Sequence, residues 1–273
     1  MESPRNHISP RFTNEPWANE HGRLLVLRRS SAGVVAAPSG PNHWGHERGL
    51  YPPAIEEALG RFENAVAPVY RFLLEGKILS PEQRHLWSHW LLCQFARTPS
   101  HLLDLAGIPE QVVSHLKLDP IDNLFESTDE AIAAALSNII DFTLNRELVP
   151  FIVLRDWVVY RAPSGTSFVK GDNSVVLQGA LIDEGTRIVY PLSPELCFEA
   201  GILGPFPPRQ LQVEHQITPG QVRETNQLLA HYADREVICR ADAATPELLS
   251  DVAEHLGSHG PLLQIGSGPE WPK

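Results

Sequence analysis

The residues best suited to chemistry are polar side chains on helix faces that ought to be buried. At about 100° per residue, Glu63 falls inside the apolar stripe of one predicted helix. Gln94 and Arg97 fall beside the tryptophans of the next helix, and Asn226 falls among apolar residues of a later one. An uncompensated charge in such a place costs several kcal/mol, and an unpaired amide costs about 1–3 kcal/mol. We therefore expect Glu63 to pair with Arg97, with Gln94 and Asn226 nearby.

An interrupted strand supplies two more polar candidates. The segment FVKGDNSVV, residues 168–176, is apolar and β-favouring at both ends, but four turn-forming residues intervene at 171–174. These four residues predict either a tight turn or the strand-borne edge of a polar pocket. In the second interpretation Asp172 and Asn173 complete the cluster around Arg97.

The mixture of residue types in this cluster favours one kind of reaction. Together with His7 and Arg11 of the N-terminal NHISPRF, it combines carboxylates, arginine, amides and a histidine. Such a set suits hydrolysis or transfer at a phosphoester, a nucleotide or a nucleic-acid-like substrate, as in a nuclease or phosphoesterase. Arg97 would neutralise the anion, and Glu63, Asp172 or His7 would act as general acid or base. The residues assigned to substrate binding are Gln94, Asn173, Asn226 and Arg11.

A second function, from a different class, remains open. A buried Glu–Arg pair with amide neighbours can hold helices in register without any chemistry. The chain would then be a non-catalytic binding or interaction protein whose polar core is structural. Arg97 could also lie at the surface, because it ends its predicted helix.

No zinc site is expected, while magnesium stays open. His85 and His89 have the spacing of a zinc pair, but they fall on the solvent face and no HExxH motif accompanies them. Two carboxylates in one pocket could hold Mg²⁺ through oxygen ligands without any readable spacing. The sequence also lacks GxSxG, GxxxxGK[ST] and GxGxxG motifs, which disfavours serine hydrolases, P-loop NTPases and Rossmann oxidoreductases.

Composition narrows the class of protein and of partner. The net charge of −11 disfavours non-specific binding to duplex nucleic acid, which needs a basic surface. No stretch of apolar residues approaches the roughly 18 residues that span a membrane. The first residues contain no apolar stretch typical of a signal peptide. The three cysteines are far apart, which favours reduced thiols. We expect a cytoplasmic protein that binds an anionic small molecule or nucleotide-like ligand.

The order of elements predicts an α+β fold, because helix signals come first and strand signals second. A helical N-terminal half would pack on a mostly antiparallel C-terminal sheet with flanking helices. Residues 1–257 would form one domain: an irregular arm with one strand over 1–52, a helical part over 53–148, and a strand-rich part with two helices over 149–257. Residues 258–273 would form a flexible tail.

Individual elements follow from periodicity and from capping residues. The predicted helices cover 53–76, 81–97, 109–116, 128–146, 219–234 and 246–256. The predicted strands are GRLLVLRR, FIVLRDWVVYR, TSFVKGDNSVVLQ, TRIVYPLSP, RQLQVEHQI and REVICR. Residues 30–53 are rich in Gly, Pro, Ser and Asn, so they predict a loop.

Six short motifs, in order, resemble the domain of unknown function 4238 family, a set of largely bacterial proteins. They are NHISPRFTNEPWA, Glu63 in its helix, CQFARTP, GDNSVV, YPLSP and the helical Asn226. The resemblance covers roughly residues 5–240. It implies that His7 with Pro10, Gln94 with Arg97, and Asp172 with Asn173 form one site. Ser174 departs from the proline usual in the family, and no activity is established for the family.

Overall fold

The computed structural model describes residues 5–31, 33–48, 53–98, 101, 148–203 and 212–258. The helices predicted near 109–116 and 128–146, and residues 259–273 of the predicted tail, lie outside the described residues. Within the described part, helices and mainly antiparallel sheets form separate layers, which confirms the predicted α+β class.

Four of the six described α-helices begin where capping residues predict, whereas the short helix at Arg11–Asn14 was not predicted and the one at Pro150–Val153 replaces the start of a predicted strand. The six helices are α1 (Arg11–Asn14), α2 (Pro53–Leu74), α3 (Pro81–Ala96), α4 (Pro150–Val153), α5 (Pro219–Tyr232) and α6 (Pro246–His255). Ser80 before α3 and Thr218 before α5 each form a reciprocal capping box with a glutamine at the third helical position. In the described part of the chain, no helix is both long and apolar enough to cross a bilayer.

The structure contains more strands than the sequence predicts. They are β1 (Arg5–His7), β2 (Leu24–Ser30), β3 (Gly33–Ser39), β4 (His46–Arg48), β5 (Arg155–Arg161), β6 (Lys170–Gly171), β7 (Val176–Gln178), β8 (Arg187–Ser193), β9 (Leu196–Leu203), β10 (Gln212–Gln216) and β11 (Glu236–Arg240). The arm before residue 53 therefore carries four strands rather than one, and β9 is an additional strand. β3 is largely exposed and rich in Gly, Ala and Pro, so pairing with β2, and not intrinsic propensity, makes it a strand.

The strands form three sheets. A five-stranded sheet has the order β10-β5-β9-β8-β7, a four-stranded sheet has the order β3-β2-β11-β6, and β1 pairs with β4. All pairs are antiparallel except β10 with β5. The mostly antiparallel arrangement was predicted, but its division into separate sheets was not.

The five-stranded sheet has hydrophobic cores on both faces. In β8, Ile188, Tyr190 and Leu192 pack in the core formed with α2 and α3, whereas Val189 packs in a second core with α5, α6 and the four-stranded sheet. This alternation follows from the two-residue period of a strand.

The interrupted segment 168–178 links two sheets. β6 pairs with β11 in the four-stranded sheet, whereas β7 pairs with β8 in the five-stranded sheet. The four residues between the apolar runs therefore carry the chain from one sheet to the other, and they do not form a hairpin.

Arg155 is a buried cation at the start of β5. Its guanidinium is fully buried and donates to five backbone carbonyl groups at 2.6–3.3 Å. The carbonyl groups belong to Leu181, Asp183, Glu184, Thr186 and Gly201. The side chain therefore fixes the loop between β7 and β8 against β5 and β9.

We expect Arg155→Lys to destabilise the protein strongly, although it keeps the charge. An ammonium group has three donors and cannot reproduce the planar fork that reaches these carbonyl groups. The free energy of unfolding in urea should fall by about 2–4 kcal/mol.

Arg161→Lys on the same strand is the matched control. Arg161 is half-buried and makes no side-chain hydrogen bond within the described part of the chain, so its change should stay within about 0.5 kcal/mol. Equal effects of the two substitutions would contradict the assigned role of Arg155.

Candidate functional site

A surface cleft of about 350 Å³ lies between α2 and the N-terminal segment, which we define as residues 5–17. The cleft is lined by His7, Arg11, Phe12, Glu15, Glu63, Asn64 and Ala67. Three of these residues, His7, Arg11 and Glu63, are predicted site residues, so the fold brings them to the same cleft. Its volume is near the lower end of the range for small-molecule sites, about 300–1,000 Å³.

Backbone pairing holds the N-terminal segment in place. His7 pairs with His46 in the β1–β4 ladder, and the N–H groups of Ile8 and Ser9 donate to Gly45 O at 2.8 and 3.1 Å. Gly45 has a φ of +74°, and a Cβ atom there would lie 2.6 Å from that of Ser9. Only glycine suits this turn, which sets the approach of β4 to the segment that carries His7.

Glu56 orients His7, and sequence reasoning did not assign it to the site. Its Oε1 lies 3.5 Å from His7 Nδ1, and its Oε2 accepts from Asn6 Nδ2 at 3.1 Å. Burial raises the pKa of the Glu56 carboxyl, but the hydrogen bonds from His7 and Asn6 outweigh this effect and lower it below 4.5 overall. A carboxylate beside one ring nitrogen fixes the orientation of an imidazole.

Glu63 forms an ion pair with Arg97, as predicted. Arg97 Nη1 donates to Glu63 Oε1 at 2.7 Å, and the guanidinium is 1% exposed whereas Glu63 is 20% exposed. When the amide oxygen of Gln94 faces the guanidinium, it accepts from Arg97 Nε and Nη2 at 2.5 Å each. The surface position considered for Arg97 is thus wrong, and the predicted Glu63–Arg97 pair with Gln94 is confirmed.

Arg97→Met should destabilise the protein more than Glu63→Gln does. The methionine leaves a partly buried carboxylate without its cation, which we expect to cost about 2–4 kcal/mol. The glutamine keeps an oxygen acceptor for Arg97, so its cost should be about 1 kcal/mol. In a double-mutant cycle measured by urea unfolding, the coupling energy should reach about 1–3 kcal/mol.

Arg61→Met provides the control for Arg97→Met. Arg61 also pairs with a glutamate, Glu57, at 2.7 Å, but both side chains are largely exposed. Such an exposed pair contributes about 0.2–1 kcal/mol to the free energy of unfolding, so Arg61→Met should lower that free energy by no more than this. Additive effects of the Arg97 and Glu63 substitutions would show that the buried pair is not coupled.

Asp172 binds backbone and not Arg97, which corrects its predicted place in the cluster. Its Oδ1 accepts from the N–H groups of Asn173 and Asp234, and its Oδ2 accepts from those of Arg235 and Glu236, at 2.7–3.0 Å. Both oxygen atoms thus fix the turn that precedes β11. The carboxylate satisfies N–H groups that would otherwise lack acceptors.

The two predicted asparagines also have other partners than Arg97. Asn226 accepts from the N–H of Val169 at 3.0 Å and donates to Ser167 O at 2.8 Å, so it joins α5 to the backbone before β6. Asn173 Nδ2 lies 3.4 Å from Nε2 of His101, while its Oδ1 is buried without a hydrogen-bond partner among the described residues. The expected convergence on Arg97 is therefore limited to Glu63 and Gln94.

Asp172→Ala should reduce the free energy of unfolding by about 1–3 kcal/mol at pH 5, because it removes the acceptors of the turn. Burial and then the charge of Asp234 raise the pKa of Asp172 to about 7, although the backbone N–H donors lower it. The carboxyl of Asp172 has a pKa of 3.8 in the unfolded chain, so the folded protein binds the carboxyl proton more tightly. The resulting stability is complete below about pH 4 and is lost as the pH rises through about 7.

The stability deficit of Asp172→Ala should therefore shrink between pH 5 and pH 8. Urea unfolding of wild type and variant at pH 5, 6, 7 and 8 measures this trend. Asp242→Ala is the control, because it removes a largely exposed carboxylate. Its free energy of unfolding should stay within about 0.5 kcal/mol of the wild-type value at every pH. A deficit that grows with pH would mean that the N–H donors outweigh burial.

The carboxylates considered for magnesium are already bound by N–H donors. Glu63 accepts from Arg97, and both oxygen atoms of Asp172 accept from backbone. Among the described residues, no group of three or more His, Cys, Asp or Glu side chains is placed to hold a metal ion.

The fold and the cleft define an α+β protein with an exposed cleft that presents charged side chains and is backed by the Glu63–Arg97 ion pair. The chain belongs to the family described as protein of unknown function (DUF4238), whose model matches residues 5–243. This match confirms the resemblance, and the matched range includes every residue that lines the cleft. No curated protein and no solved structure matches the chain.

Proposed function

We propose that the cleft binds a small phosphate-bearing anion, such as a nucleotide, and that the protein catalyses hydrolysis or transfer at its phosphoester bond. The observation that carries this proposal is the histidine–carboxylate pair of His7 and Glu56, because it lies at a cleft that also presents Arg11. A histidine oriented by a carboxylate, next to an arginine, is a common arrangement for general base catalysis on anions.

His7 acts as the general base in this proposal. The ring nitrogen that does not face Glu56 takes a proton from the attacking water or hydroxyl group. The nucleophile's oxygen forms a bond to phosphorus, and the ester oxygen leaves with the electron pair of the broken P–O bond. The imidazolium then returns its proton to the leaving oxygen, so the histidine is regenerated. Glu56 stabilises the imidazolium between these steps.

Arg11 binds the phosphate group. Its Nε donates to Glu15 at 2.8 Å, while its two terminal nitrogens make no hydrogen bond within the described part of the chain. These two nitrogens can bind two oxygen atoms of a phosphate group at once. The guanidinium is 63% exposed, so an anion reaches it without displacing a buried contact.

Glu63 binds a hydroxyl or amino group of the ligand, and Arg97 keeps its charge balanced. Glu63 Oε1 accepts from Arg97, whereas Oε2 has no partner among the described residues. A lone carboxylate in the cleft would repel an anionic ligand, and the buried guanidinium reduces this repulsion. In this proposal Gln94, Asp172, Asn173 and Asn226 support the surrounding backbone and side chains and do not touch the ligand.

The cytosol is the proposed compartment. Cys93, Cys197 and Cys239 are all buried and form no disulfide bond, which suits a reducing environment. Burial raises the pKa of the Cys239 thiol to about 12, so this group stays protonated and unreactive near neutral pH.

His7→Gln should lower turnover by about 10²–10⁴-fold, the usual contribution of a general base. The measurement is kcat/KM against a panel of phosphomonoesters, phosphodiesters and nucleotides, with folding checked by circular dichroism. Glu56→Gln should lower turnover less, because the imidazole keeps its reactive nitrogen but loses the carboxylate that orients it.

His21→Gln is the control, because His21 is an exposed histidine outside the cleft. It should retain full turnover. Wild-type activity that survives His7→Gln in a folded protein would rule out the assignment of the base.

A non-catalytic binding protein is the second candidate. The observation in its favour is that Asp172 and Asn226 bond to backbone, as the polar groups of a structural core do. In that case calorimetry would detect binding of a nucleotide or inorganic phosphate to the cleft, while no member of the substrate panel would be turned over.

A further inference from the structure

Lys170, on β6, is a fully buried cation that none of the sequence patterns singled out. Its Nζ lies 2.9 Å from Ser9 Oγ, 2.8 Å from Thr13 Oγ1, 3.1 Å from Thr13 O and 2.9 Å from Asn14 Oδ1. All four oxygen atoms belong to the N-terminal segment. Nζ also lies over the rings of Trp44 and Tyr190, 5.6 and 5.9 Å from their centroids.

The hydrogen-bond partners of these neighbours favour a protonated amine. The hydroxyl of Thr13 donates to Pro10 O at 2.8 Å, and that of Ser9 donates to Asn14 Oδ1 at 2.7 Å. With these two donations made, every oxygen near Nζ accepts from it. An ammonium ion uses three donors here, whereas a neutral amine would offer two and would turn a lone pair towards acceptors.

Burial of Lys170 disfavours its charged form, so the ammonium ion depends on its oxygen acceptors. Burial, and secondarily the charge of Arg97, lower the pKa of Lys170 well below 10.5. No described carboxylate forms an ion pair with Lys170, so apart from the two aromatic rings the charge is compensated by these four oxygen atoms. If the N-terminal segment moved away, the ammonium ion would lose all of them at once.

The acceptors of Lys170 lie next to both cleft residues of the segment. His7 precedes Ser9 by two residues, and Arg11 lies between Ser9 and Thr13 at the start of α1. Fixing Ser9, Thr13 and Asn14 thus fixes the backbone from which both functional side chains project. Asn14 extends the network, because its Nδ2 donates to Ser9 O at 3.1 Å.

We propose that Lys170 is a positioning residue for the cleft: its ammonium ion holds residues 9–14 and thereby sets where His7 and Arg11 stand relative to α2 and Glu56. The activity assigned to the cleft still rests on the proposed function. The positioning can be measured without any turnover, so a lack of activity in the wild type would overturn the proposed function alone.

The first test compares Lys170→Met with Lys77→Met by amide hydrogen exchange. Lys77 is an exposed lysine that pairs with Glu75, so it controls for the change of residue type. In Lys170→Met we expect the amides of Ile8 and Ser9 to exchange at least tenfold faster, while those of β8 and β9 change less than threefold. Equal acceleration at all these amides would mark Lys170 as a general core residue and overturn the proposal.

The second test measures how Glu56 and His7 are coupled. In the wild-type background, Glu56→Gln should shift the ring NMR signals of His7. In the Lys170→Met background the same substitution should give less than one third of that shift, because His7 no longer stands beside residue 56. An unchanged shift in both backgrounds would overturn the proposal, since lost stability alone does not separate two residues in folded molecules.

Thr13→Val provides the same comparison if Lys170→Met does not fold. The valine removes one acceptor of Lys170 and keeps the carbonyl group, so the core keeps its cation. Exchange at Ile8 and Ser9 should rise at least threefold, with β8 and β9 unchanged. Unaltered exchange at Ile8 and Ser9 would overturn the proposal.

Discussion

A positive charge buried beneath hydrophobic side chains must be surrounded by oxygen atoms, and the described part of the molecule is organised by this constraint. Arg84, Arg155 and Lys170 are buried, yet none forms an ion pair with a described carboxylate. Their donors meet backbone carbonyl groups, hydroxyl groups and one amide oxygen. Because an uncompensated buried charge costs several kcal/mol, each cation fixes a stretch of backbone that is distant in sequence.

Arg97 differs from these three cations, because its partner Glu63 is a carboxylate that lines the cleft. The ion pair thus lies at the boundary between the core and the cleft. The guanidinium is buried and well placed by Gln94, so it holds the carboxylate in one position and balances its charge. A rigid and electrically balanced wall suits the proposed binding of an anion, since binding then needs little reorganisation.

Periodicity predicted the part of the site that lies on long helices. Glu63 and Arg97 each interrupt an apolar helix face, and the cost of a buried charge implies that they meet. His7 and Glu56 lie 49 residues apart, and neither breaks a pattern, so only the packing of β1 against α2 shows that they are neighbours. Lys170 was missed because β6 is two residues long, too short for alternation to indicate a buried lysine.

The polar residues that interrupt the apolar segment 168–176 now have a physical reason. At Gly171 the chain leaves the four-stranded sheet, and five residues later it joins the other sheet. At this crossing the turn before β11 has N–H groups without strand partners, and Asp172 supplies their acceptors. The same short stretch begins with Lys170, which binds the N-terminal segment. The connection between the sheets and the placement of the cleft therefore depend on adjacent residues, which explains why a carboxylate and a lysine occur together where the flanking pattern predicts only burial.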